Sequence, residues 1–139
     1  MRYIVLFAAG LGSISLAYAE PNNVLYELQE RCGKRAAEVF EKEWNGQHIV
    51  PTKDGGYLTA DFENHYSPRL NKCFYLQKSG SVSKLMGIES LELYDLNENR
   101  KLGNFTTGNR LGITECQVQG KNCRSEQEWR ELAKPFLEE

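Results

Sequence analysis

Residues 57–77, YLTADFENHYSPRLNKCFYLQ, confine the fold more tightly than any other stretch, because they demand two neighbouring strands. Leu58, Ala60, Phe62 and Tyr66 alternate with Thr59, Asp61, Glu63 and His65, the pattern of a strand with one buried face and one wet face. After the turn signal Ser67-Pro68-Arg69-Leu70-Asn71, the second strand sets Cys73 and Tyr75 on one side and Phe74 and Leu76 on the other. A strand apolar on both faces belongs inside a sheet, so the rest of the chain has to cover it.

Upstream, Leu25, Leu28, Cys32, Ala36, Val39 and Phe40 recur at helical spacing. They predict a helix over residues 24–43, capped by Asn22-Asn23 and stopped by Asn45-Gly46. Gly33 costs such a helix up to about 1 kcal/mol relative to alanine, which predicts close approach of another backbone. Residues 47–56 read as a connector with a short extended piece at His48-Ile49-Val50.

Downstream, Ser79-Gly80-Ser81 reads as a turn before a strand over 85–96, and Asn97-Glu98-Asn99-Arg100 leads to a shorter strand over 102–107. The segment 108–112 then reads as a loop toward the last two cysteines. Ser125-Glu126-Gln127-Glu128 is a capping box, followed by Trp129, Leu132, Ala133 and Phe136 at helical spacing until Pro135 bends or ends the helix. The expected fold is therefore α+β: an N-terminal helix, an antiparallel meander of three to five strands, a short C-terminal helix, both helices on one face, and two disulfides.

Residues 1–19 read as a cleavable signal peptide, with Arg2 as the basic start, an apolar run, and Ala17-Tyr18-Ala19 as the cleavage site. Cleavage leaves residues 20–139 as a single domain of 120 residues, with 16 basic and 19 acidic residues interspersed along it. That balance argues against nucleic acid as a partner, and no later stretch is apolar enough to form an integral membrane segment.

All four cysteines, Cys32, Cys73, Cys116 and Cys123, fall in the exported part, where an oxidising compartment pairs them. Cys116 and Cys123 flank a turn-like segment and can close a local bridge. Cys32, on the apolar helix face, then meets Cys73 in the doubly apolar strand. The chain-entropy model assigns about 2.5 kcal/mol to the short loop and about 4 kcal/mol to the long one. A zinc site would need a C-x-x-C pair, which the spacing lacks.

Motifs that carry chemistry are sparse. Asp95-Leu96-Asn97-Glu98-Asn99 matches the first half of a calcium loop, but Arg100 stands where glycine makes the turn and Thr106 where a bidentate glutamate belongs, so a polar hairpin is the simpler reading. Asp61, Glu63 and His65 share one strand face at the spacing of an acid–base row. Asn104-Phe105-Thr106 forms a glycosylation sequon, relevant only in a eukaryotic host. No G-x-S-x-G, H-E-x-x-H or phosphate-binding loop occurs, so neither a metal nor a cofactor is expected. Aromatic and basic residues at Tyr57, His65, Tyr66 and Arg69 suggest instead an interface patch of the kind enriched at protein contacts.

The segments ENHYSPRLNKCFYL and LELYDLNEN, the C-x6-C clip and the ending KPFLEE resemble small exported proteins of Gram-negative bacteria, a family that brings no characterised activity. The resemblance implies a periplasmic location, with an extracellular one as the alternative. The expected function is that of a non-catalytic binding or accessory protein, such as an inhibitor or immunity-type partner of an envelope enzyme. The alternative is a small hydrolase using Asp61, Glu63 and His65.

Overall fold

The computed structural model describes residues 21–139, and the expected signal peptide over 1–19 lies outside the described residues. Helix α1 (Pro21–Trp44) turns Cys32, Ala36 and Phe40 inward at helical spacing. Asn45 and Gly46, with φ of 50° and 66°, take the left-handed conformation that ends it. There follow β1 (Ile49–Pro51), β2 (Tyr57–Ser67), β3 (Lys72–Val82), β4 (Gly87–Asp95), β5 (Arg100–Gly108), β6 (Gly112–Val118), β7 (Lys121–Asn122) and α2 (Glu126–Leu137). The strands form one antiparallel sheet in chain order.

The α+β class stands, but the sheet has seven strands rather than three to five. The extra strands come from segments whose glycines and prolines read as loop. Residues 49–51 pair with β2, and the segment 108–112 is a hairpin leading into β6. Gln119 and Gly120, both at positive φ, then turn the chain back into β7. Ser79-Gly80-Ser81 is not a turn either. It continues β3, because Gly80 lets the Thr59 hydroxyl and the Ile88 carbonyl approach to 2.8 and 3.2 Å of where a Cβ would sit. The turn lies four residues on, where Ser83 Oγ accepts the amides of Leu85 and Met86.

The helices lie on opposite faces of the sheet, not on one. Trp129 and Ala133 of α2 pack with Phe74, Leu76, Leu91, Leu93, Phe105 and Val118. Cys32 and Ala36 of α1 pack with Tyr66, Cys73, Tyr75 and Leu96. The reason is the period of two in β3: Cys73 and Tyr75 point to α1, and Phe74 and Leu76 to α2. A strand with two apolar faces needs two covers.

The Cys32–Cys73 disulfide ties α1 to β3, with Cα atoms 5.4 Å apart, and Cys116–Cys123 closes the β6–β7 turn. Both pairings match the sequence reading, and two disulfides fit an exported protein in an oxidising compartment. At α2, Ser125 accepts the Glu128 amide as N-cap, and the helix runs through Pro135 to Leu137 instead of stopping there. Trp129 is fully buried, and its Nε1 donates to the Gln117 carbonyl at 3.1 Å.

The calcium-like letters are consumed by the β4–β5 turn. Asp95 is buried. Its carboxylate receives Lys72 Nζ at 2.7 Å and the amides of Asn97 and Glu98 at 2.9 and 3.1 Å. The Cys73 amide donates to Asn97 Oδ1 at 2.8 Å, which ties the turn to the start of β3.

Candidate binding face

Strand register sets the α2 side of the sheet as parallel rows of side chains. Nearest the β2–β3 turn run His65–Phe74–Asp95, then Glu63–Leu76–Leu93–Gly103–Val118, then Asp61–Lys78–Leu91–Phe105–Cys116. Helix α2 covers the apolar members of these rows. Two further rows extend past its first turn: Ile49–Thr59–Gly80–Glu89–Thr107–Ile113 and Pro51–Tyr57–Val82–Gly87. No element lies over them among the described residues.

These two rows hold much of the exposed apolar surface. Ile49 is 64% exposed, Tyr57 43%, Val82 40% and Ile113 43%. Leu85 and Leu111 stand exposed in the loops at the same end of the sheet. Two hollows open in this surface, and Gly80 lines the first of them. One hollow of 320 Å³ lies against the start of α2, lined by Asp61, Lys78, Gly80, Glu89, Glu126 and Arg130. Another of 450 Å³ opens at the strand ends, lined by Val82, Gly87, Glu89, Thr107 and Asn109.

The part of the opposite face that α1 leaves open has another character. Ser90 and Thr106 hydroxyls bond at 3.2 Å, Asn104 Nδ2 donates to Glu115 at 2.8 Å, and Lys101 pairs with Glu92. Burial and the nearby Glu92 carboxylate hold the Tyr94 phenol above its ordinary range, and its hydroxyl donates to Glu92 at 3.0 Å. These polar groups satisfy one another, so this face is complete as a wet surface.

The residues singled out from sequence do not gather into one patch. Tyr57 sits in the outermost uncovered row, while His65 is at the other end of β2, about 27 Å along an extended strand. Tyr66 is buried under α1 and donates its hydroxyl to Asn71 at 2.6 Å. His65 and Arg69 do meet, around Glu139: His65 Nε2 donates to its carbonyl at 3.2 Å, and Arg69 pairs with its carboxylate at 3.3 Å.

Nor do Asp61, Glu63 and His65 converge on a common point. Asp61 accepts the Phe62 amide at 2.9 Å and lies 3.6 Å from His48, Glu63 pairs with Lys78, and His65 faces Glu139. They occupy three successive rows, each engaged with a separate neighbour, so no pair is placed to pass a proton through one substrate atom.

Val82, Glu89, Ile49 and Ile113 escaped the sequence reading. Each is unremarkable alone, and only the pairing of six strands places Ile49, Glu89 and Ile113 in one row. No helix among the described residues is long and apolar enough to cross a membrane. No family model matches the chain, and no curated protein or solved structure matches it either.

Proposed function

We propose that this chain is a non-catalytic binding protein of the bacterial periplasm, an inhibitor or immunity-type partner of an envelope enzyme, which docks its partner on the two uncovered rows of the α2 side. One observation carries the reading: Ile49, Tyr57, Val82 and Ile113 are exposed together on a sheet whose other uncovered surface is polar and self-satisfied. Grouped exposed apolar side chains around a hollow are costly in water unless a partner covers them. The two disulfides hold the sheet that presents them, which lowers the ordering cost of association. The expected signal peptide and the resemblance to exported Gram-negative proteins support the location.

The test is affinity capture from periplasmic extract. A partner retained by the native chain and by Arg69→Ala, but lost with Val82→Asp and with Tyr57→Ala, is the expected result. Retention by the Val82→Asp protein would overturn the assignment of the face.

A further inference from the structure

We infer that the partner presents a lysine or arginine flanked by apolar side chains, and that Glu89 receives that cation. The inference rests on the binding reading above. Glu89 lines both hollows and is the only charged residue on the second. It stands midway along its row, with Gly80 on one side and Thr107 on the other and the exposed Ile113 beyond. The two cations of the first hollow are each matched to an acid: Lys78 pairs with Glu63, and Arg130 with Glu126 at 2.8 Å.

Among the described residues no lysine, arginine or histidine pairs with Glu89, and in the same hollow Asp61 accepts the Phe62 amide and lies 3.6 Å from His48. The surface is thus apolar at its rim and carries unneutralised negative charge at its centre. An apolar partner without a cation would strip water from Glu89 and leave it unpaired, which costs more than the apolar contact returns. A cation replaces that water with a charge-assisted hydrogen bond. The same charge argues against a second copy of this chain, since a two-fold contact centred on the row would set Glu89 against its own mate.

The experiment is an amide chemical-shift titration of the oxidised, exported chain with three peptides: N-acetyl-Leu-Arg-Leu-amide and its counterparts with norleucine or glutamate at the centre. The expected result is movement of the Gly80, Glu89 and Thr107 amides, with the arginine peptide binding about tenfold more tightly than the norleucine peptide. That preference should vanish in Glu89→Gln and persist in Glu89→Asp. Equal affinity of the arginine and norleucine peptides at these amides would overturn the cation assignment and leave the binding face standing. No movement of these amides with any peptide would overturn both. Because Glu89 is exposed, unchanged amide positions elsewhere in the variants confirm that they fold.

Discussion

Phe74 and Tyr75 are neighbours in β3, each 1% exposed, and they are buried by different helices. Phe74 meets Phe136 of α2 with ring centroids 5.3 Å apart, while Tyr75 lies 5.6 Å from Phe62 on the side covered by α1. One peptide unit therefore connects the two cores of the molecule. The consequence is that each helix can be loosened separately while β3 stays in place.

The disulfides should show this division. Replacing Cys32 and Cys73 together by serine should cost up to about 4 kcal/mol, because that bridge closes a long loop and fastens α1 to β3. Replacing Cys116 and Cys123 should cost about 2.5 kcal/mol at most, with a rise in the polarity sensed by Trp129. Denaturant unfolding followed by tryptophan fluorescence measures both, and a larger loss from the short clip would contradict the assignment.

Asp95 should make the protein acid-sensitive. Burial alone would raise its carboxyl, but the Lys72 ammonium and the Glu98 and Asn97 amides outweigh that and hold it below the usual carboxylate range. A depressed folded value contributes stability that is complete above the unfolded value, near 3.9 for aspartate, and is lost as pH falls through the folded one. Thermal midpoints should therefore drop below about pH 4, and Asp95→Asn should flatten that part of the profile. Lys72→Met should be the more damaging change, about 3 kcal/mol at neutral pH, since it leaves a buried carboxylate without its cation.

Tyr75 predicts the alkaline limb. Burial, followed by the nearby Glu43 carboxylate, holds its phenol well above the ordinary tyrosine range, and its hydroxyl donates to Gln77 at 3.3 Å. The fold favours the neutral phenol, so this contribution is complete below about pH 10 and is lost as pH rises toward the folded value. Tyr75→Phe should shift the alkaline unfolding midpoint upward, as followed by circular dichroism.

Gly33 offers a stabilising change. A Cβ there would meet the Asn64 side-chain amide at 3.8 Å, an ordinary contact, so the close backbone approach expected from sequence is not what this glycine serves. Gly33→Ala should stabilise α1 by up to about 1 kcal/mol in denaturant titration.

Local periodicity explains what could be read in advance. Cys32 on a helical stripe and Cys73 in a doubly apolar strand point to each other without knowledge of neighbouring strands, and the Ser125 cap is a four-residue pattern. The alternation of Cys73 and Phe74 gives β3 two apolar faces, but which helix covers which face depends on strand partners that no local pattern in α1 or α2 encodes. Gly80 carries a turn signal that tertiary pairing overrides, whereas the 108–112 segment does turn, as the tip of the β5–β6 hairpin. The uncovered rows were illegible for a different reason: Ile49, Glu89 and Ile113 come from three strands, and no spacing within any one of them encodes the register that aligns them.

Which of the two uncovered surfaces meets a partner decides whether the α2 side is the docking face. Site-specific photocrosslinking in the periplasm, with a photoreactive residue replacing Val82 or Ile113 on the α2 side and Thr106 or Asn104 on the other, asks that question directly. The predicted result is a partner adduct from Val82 and Ile113 and none from Thr106 or Asn104. Adducts from Thr106 and Asn104 alone, or from neither side, would contradict it.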